Sequence, residues 1–228
     1  MMDIFNPGLD WYLDKLERGE PFSFMRLVDG EWGCILGTRS GTISGRQQFT
    51  PDLRAAMSDV VQNAHGGDCY LSINPQAKVL REMMPQIERY AAEHAPGTIW
   101  HWGKMFHQAS LDGRIGDVVR AFKRHKVVVV GPPLLLRLPF ADEFIEISPR
   151  GCWDDFGQMF ERIARVEDAV VSISAGVPAR VLVHQLYPLL GAHSWLLDLG
   201  SLWDPYCGLA SRSLWKGRTF DLGQLEVS

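Results

Sequence analysis

The run Lys126-Val127-Val128-Val129-Val130, closed by Gly131-Pro132-Pro133, constrains the fold more than any other feature of this chain. Four consecutive β-branched residues leave no polar face. A strand made from them has to be covered on both sides, as in a parallel sheet with helices on both faces. Ala169 to Ile173 repeats the pattern. Further strands are expected at Phe22 to Val28, Cys69 to Ile73, Thr98 to Trp102, Phe144 to Ile147 and Trp195 to Leu199. Between them lie helical segments with cap-and-proline starts. One opens at Asn6-Pro7 and carries Leu9, Tyr12, Leu13 and Leu16 on one side; others open at Thr50-Pro51 and Asn74-Pro75. Helices are also expected over Ile115 to Phe122, Phe156 to Ile163 and Pro178 to Leu190. Strands alternating with helices imply βαβ units. The expected fold class is α/β: one Rossmann-like domain over residues 1–228, a mainly parallel sheet flanked by helices. Residues 209–228, with Trp215 and Arg218, are expected either to close over a site or to pack as an arm.

At 228 residues the chain can bury one sizeable core. Its net charge of −4 carries no basic surplus of the kind that advertises a nucleic-acid partner. Cys34, Cys69, Cys152 and Cys207 form no C-x-x-C pair, so buried reduced thiols are expected rather than a disulfide frame or a zinc site. The segment from Met1 to Pro21 has no secretory apolar core, and the longest apolar run is too short to span a bilayer. A cytoplasmic protein is the expectation. The eight tryptophans suit either core filling or a pocket for a flat or sugar-like ligand.

In open parallel sheets, ligands bind beyond the carboxyl ends of the strands. In this chain those places are Asp29 to Glu31, Asn74, His101 to His107, Gly131 to Pro133, Ser174 to Gly176 and Asp198 to Asp204. Asp29 and Glu31, with Gly30 between them, can turn two carboxylates toward one hard cation, Mn²⁺ or Mg²⁺, completed by diphosphate oxygens. The same three residues also suit a simple turn with a solvated carboxylate. Arg26, in an otherwise apolar strand, needs a partner: a phosphate, a nearby carboxylate or an edge-strand ion pair. Lys104 is a candidate phosphate ligand, and His101 and His107 are candidate bases. Gly131 and Gly176 stand in strand-to-helix turns where a nucleotide can approach the backbone. No G-x-G-x-x-G, Walker A or G-x-S-x-G pattern is present, which disfavours nicotinamide dehydrogenases, P-loop NTPases and nucleophile-elbow hydrolases.

Arg26-Leu27-Val28-Asp29-Gly30-Glu31 resembles the "R-x-x-D-G-E" opening of the GT-D-type glycosyltransferases, a class with a Rossmann-like fold and a D-x-E metal motif. Later segments fall in that family's order. Val127 to Pro132 is similar to its central strand and turn, and Asp168 to Leu190 to its "LIALGPTA" strand and helix. Leu197-Asp198-Leu199-Gly200 is similar to its "D-I-G" strand end, and Asp204-Pro205-Tyr206 to the acidic-tyrosine element that follows. The resemblance covers about residues 22 to 208. It implies metal-dependent transfer of a hexose from a UDP-sugar, UDP-glucose first among the donors, to an acceptor hydroxyl. Asp29 and Glu31 would hold Mn²⁺ and the diphosphate, Arg26 would stabilise the phosphates, and Asp198 and Asp204 would serve the acceptor or act as base. This chain departs from the family at Ser201, where the family carries histidine, and at Ala175-Gly176-Val177-Pro178. His101 or His107 would then have to substitute for that histidine.

The acceptor implied is a glycan, a glycoconjugate or a hydroxymethylated base in DNA, and a homo-oligomer is compatible with the sequence. Two other readings use the same residues. One is a metal-dependent hydrolase of nucleoside diphosphate compounds; the other is a non-catalytic nucleotide-binding module.

Overall fold

The computed structural model describes residues 2–39, 41–43, 47–148 and 152–226. In chain order the elements begin with β1 (Ile4–Phe5), α1 (Leu9–Glu17), β2 (Ser23–Leu27), α2 (Asp29–Ile35), β3 (Thr42–Ile43) and β4 (Gln47–Gln48). They continue with α3 (Pro51–Gln62), β5 (Cys69–Ile73), α4 (Lys78–His94), β6 (Trp100–Trp102), α5 (Met105–Leu111) and α6 (Ile115–Phe122). The second half holds β7 (Lys126–Gly131), β8 (Glu143–Glu146), α7 (Phe156–Ile163), β9 (Ala169–Ile173), α8 (Pro178–Leu190) and β10 (Trp195–Asp198). Eight strands form one sheet in the order β1-β6-β5-β2-β10-β9-β7-β8, and every pairing in it is parallel. β3 and β4 make a separate antiparallel pair.

The β-branched runs behave as their composition requires. Val127, Val129 and Val170 enter one core, with α1, α5 and α6, while Val128, Val130 and Val171 enter the other, with α2, α3, α4, α7 and α8. Connections that run toward the β1 edge (β2 to β5 to β6, and β8 to β9 to β10) cross on the α8 face. Those that run toward the β8 edge (β1 to β2, and β6 to β7) cross on the α1 face. A single crossover hand demands this sorting. At the carboxyl ends of the adjacent strands β2 and β10 the chain therefore parts. α2 leaves β2 onto the α8 face, whereas Leu199, Leu202 and Trp203 leave β10 onto the α1 face. That divergence opens the crevice where ligands of parallel α/β sheets sit.

Several boundaries differ from the sequence reading, each for a local reason. β2 stops at Leu27, and Asp29-Gly30-Glu31 forms the first turn of α2 rather than a loop. α1 begins at Leu9 behind Gly8, whose φ of 88° sets the entry. The helix expected after Asn74-Pro75 starts only at Lys78. The loop expected after Trp102 contains α5, an apolar seven-residue helix. Thr50 caps α3 as expected, its Oγ1 accepting from Leu53 N at 3.1 Å. The four cysteines are all buried and free. No helix of the described residues is long and apolar enough to cross a membrane.

Phe24 on β2 is fully buried between Tyr12 and Phe106, with ring centroids at 5.7 and 5.5 Å. Phe24→Ala is expected to lower the unfolding free energy by about 3–5 kcal/mol in urea titrations followed by circular dichroism. Ile99→Ala, at an exposed position, should stay within about 0.5 kcal/mol of the parent.

Candidate functional site

The crevice is organised from α2. Val28 is extended, and its N–H donates to Glu31 Oε2 at 3.1 Å, closing the first turn, where two carboxylates also suit the helix dipole. Glu31 is buried, and its Oε1 lies 3.0 Å from Arg180 Nη1. Asp29, on the outer side of the same turn, pairs through Oδ2 with Arg39 Nη2 at 2.7 Å, and both side chains are roughly 40% exposed. Arg39 reaches back because Gly33 has no side chain: a Cβ there would stand 2.7 Å from the arginine stem.

Two arginines approach the β2–β10 junction from opposite faces. Arg180 of α8 is buried and uses every side of its guanidinium. Nη2 meets Asp198 Oδ2 at 2.9 Å, Nη1 meets Glu31 and donates to Gly176 O at 2.5 Å, and Nε donates to Arg26 O at 2.5 Å. Arg26 lies on the other face. Its backbone N–H donates to Asp198 Oδ2 at 3.1 Å, Nε donates to Gly103 O at 3.0 Å, and Nη1 donates to Leu199 O at 3.0 Å. Gly200, with φ 54°, makes this possible, since a Cβ there would sit 2.8 Å from Arg26 Nη1. Burial pulls the Arg26 guanidinium down to about 10, against the pull of Asp198, so it remains a cation at neutral pH. Burial pushes the Asp198 carboxyl up, and Arg180 and Arg26 oppose that push.

The remaining expected residues divide. Lys104 directly follows Gly103, which holds Arg26, and His107 lies one turn farther along α5. His107 is held well below its ordinary range by burial and by the charges of Arg26, Arg212, Lys104 and Arg180, so it is neutral. Ser201 Oγ accepts from Arg212 Nε at 3.3 Å, and Asp204 accepts from Ser211. Gly131 closes β7 beside Ser174, where a Cβ would collide with Leu135 at 2.6 Å. Gly176 has φ 66° and gives its carbonyl to Arg180. His101 is placed elsewhere: it stacks on Tyr70 at 4.1 Å and bonds Tyr12 at 2.6 Å, inside the α1 face. Asp198 is sealed from solvent and bound to two arginines.

Sequence reasoning missed Arg180, Arg39, Arg212 and the role of Trp215. Arg180 left a trace, as a lone cation inside the apolar stretch Val177 to Val183. The other three are brought in by tertiary folding.

Among the described residues, six of the nine buried side-chain N and O atoms without a protein partner lie at the same end of the sheet, the others being Ser23 Oγ, Trp32 Nε1 and His184 Nδ1. Asn74 Oδ1 follows β5, Ser174 Oγ follows β9, Asp198 Oδ1 ends β10, and both ring nitrogens of His107 and Trp215 Nε1 lie beyond β6. Such atoms are costly unless something polar meets them.

A divalent cation at the Asp-Gly-Glu turn finds one exchangeable ligand. Both Glu31 oxygens are engaged, by Val28 N–H and Arg180, so Glu31 braces the turn. Among the described residues Asp29 pairs with the half-exposed Arg39 and can exchange it. Among the described residues no three His, Cys, Asp or Glu side chains converge. One carboxylate completed by diphosphate oxygens and water is a donor set that Mg²⁺-like ions accept.

Arg180→Met leaves Glu31 and Asp198 buried without a counter-charge and is expected to cost about 3–5 kcal/mol in chemical denaturation. A second expectation concerns pH. Burial holds His101 down at about 4, while the unfolded chain titrates near the ordinary 6.5. Its contribution is full above pH 6.5 and is lost as pH falls toward 4, amounting to roughly 3 kcal/mol. His101→Gln should flatten that slope in thermal melts recorded between pH 4 and 7.

No family model and no curated protein matches the sequence. Solved structures do match the fold. A glycosyltransferase (DUF1792) from Streptococcus sanguinis superposes with a TM-score of 0.68 at 16% identity, over 90% of this chain and 84% of that one. A structure described as showing that the domain of unknown function 1792 has a distinct glycosyltransferase fold gives 0.69 at 12% identity, over 90% and 80%. A selenomethionine-substituted structure of the same domain gives 0.67 at 13%, again over 90% and 80%. At these identities the likeness establishes architecture: the chain has the glycosyltransferase fold of the DUF1792 proteins.

Proposed function

We propose that this chain is a glycosyltransferase that moves a hexose from a nucleoside-diphosphate sugar, with UDP-glucose the first donor to test, to an acceptor hydroxyl on a glycan or glycoconjugate. One observation carries the reading. On a glycosyltransferase fold, the β2–β10 crevice combines the Arg26, Lys104 and Arg212 cations with buried polar atoms that have no protein partner. That chemistry suits a doubly charged diphosphate flanked by hydroxyl-rich groups.

Arg26 and Lys104 would face the diphosphate, and the open turn at Gly176 leaves room for the nucleotide beside the backbone, whereas Leu135 fills that space at Gly131. Asp29 would hold the divalent ion, Mn²⁺ or Mg²⁺, which when bound neutralises charge on the leaving diphosphate. Glu31 and Asp198, locked on Arg180, set the position of the α2 turn and of the β10 end. In the transfer, the acceptor oxygen bonds to the anomeric carbon as the bond to the diphosphate breaks, and the acceptor proton passes to a base. Asp198 is sealed, and His101 lies in the aromatic stack. That leaves half-buried Asp204 for the proton, since His107 is buried like Asp198 and the cations around it oppose protonation. The net charge of −4 favours a glycan or glycoconjugate over DNA as acceptor.

The test is calorimetry with UDP, with and without Mn²⁺, on the parent and on Asp29→Ala, together with turnover of UDP-sugars with and without saccharide acceptors. The parent should bind UDP more tightly with Mn²⁺, and Asp29→Ala should lose that increment, roughly tenfold in Kd, while keeping its fold. Identical UDP binding by both proteins with no metal effect removes Asp29 from the metal site. Rapid donor breakdown in water alone makes the chain a hydrolase instead.

A further inference from the structure

The segment after β10 returns over the crevice. Asp204 accepts from Ser211, Ser201 accepts from Arg212, and the turn Ser213–Trp215 then lays Trp215 on His107, ring centroids 5.6 Å apart and planes 16° from parallel. Phe220 packs on both Trp215 and Tyr206 at 5.3 and 5.2 Å, Arg218 Nη1 donates to Leu111 O, and Leu225 is buried against the α1-face core. Over twenty residues the segment is therefore anchored at both ends, with Arg212 and Trp215 at the crevice.

The contents of this buried contact are unusual for a core. His107 is buried and neutral, yet among the described residues neither ring nitrogen has a protein partner, and Trp215 Nε1 beside it also lacks one. Around them stand three cations. Arg26 is pinned between Gly103 O and Leu199 O, Lys104 directly follows the first of those residues, and Arg212 is held two residues beyond the second, on Ser201. Like charges gathered around unpaired donors repel one another and invite an anion. The small Ser201 side chain receives an arginine from the C-terminal segment.

We propose that the C-terminal segment is a wall of the donor site. Arg212 and Trp215 of that segment, with Arg26, Lys104 and His107, bind the diphosphate of the donor. This rests on the glycosyltransferase reading for the identity of the donor, but not for the pocket's preference for a diphosphate. The matched chemistry is specific. Three cations and the indole N–H donate to phosphate oxygens, which only accept. Neutral His107 adds one donor and keeps one acceptor, for a hydroxyl of the ligand.

The experiment titrates UDP, inorganic pyrophosphate and uridine into the full chain, into Arg212→Ala and into Arg212→Lys, and follows UDP-sugar turnover in parallel. Arg212 is exposed, so its replacement leaves the core intact. Arg212→Ala should weaken UDP and pyrophosphate at least roughly tenfold, Arg212→Lys should recover part of that, and uridine should not change. UDP should also slow amide exchange over residues 209–226 in the parent, an effect that a purely structural tail would not show. If the parent binds UDP and Arg212→Ala binds it equally well, the wall is refuted while the glycosyltransferase reading stands. If pyrophosphate binds through Arg212 but no hexose is transferred, the wall stands and the glycosyltransferase reading falls. A parent that binds neither UDP nor pyrophosphate refutes both.

Discussion

The site depends on one buried guanidinium. Arg180 joins the Glu31 carboxylate of α2 to the Asp198 carboxylate of β10 and gives its remaining donors to the carbonyls of Arg26 and Gly176. It thereby connects α2, α8, β2, β10 and the turn after β9. A buried arginine is tolerated only when every donor is met and opposite charge is close. Here two carboxylates and two carbonyls meet that condition. Replacing a buried ion cluster with well-packed apolar side chains is often neutral or stabilising, so what this cluster supplies is the fixed position of the α2 turn and the β10 end.

The chain places this cluster where its path divides. One crossover hand sends the segments after β2 and β10 to opposite faces of the sheet, and the two strand ends are left facing a gap. Arg180 closes the floor of that gap from the α8 face, and Arg26 fills it from the α1 face. The aromatic α1-face core, built from Tyr12, Phe22, Phe24, Phe106 and Trp203, fixes α5 and the C-terminal segment against the same opening.

The division of labour within Asp-Gly-Glu follows from helix geometry. Residues at the first and third positions of a helix point to different sides of its axis, so Asp29 faces outward to Arg39 while Glu31 turns inward to Arg180. Two carboxylates expected to act together on one cation are thus separated into a half-exposed one paired with Arg39 and a buried one held by Arg180. The spacing alone does not reveal this, because a D-x-E in a loop and a D-x-E in a helix aim their side chains differently.

The amino-acid sequence already specifies the parallel sheet. Val127 to Val130 and Ala169 to Ile173 have no polar face, and only helices on both sides satisfy them. It also marked the carboxyl ends of the strands, where Arg26, Asp29, Lys104, His107 and Asp198 stand. Tertiary structure decided everything that depends on distant segments meeting. It withdrew His101 into an aromatic stack with Tyr12 and Tyr70, sealed Asp198 under Arg180, and carried Arg212 and Trp215 back to His107. Periodicity reports which face a residue occupies within its own element. Ion pairs and ring stacks form between elements far apart in sequence, and no local pattern encodes which of them will come together.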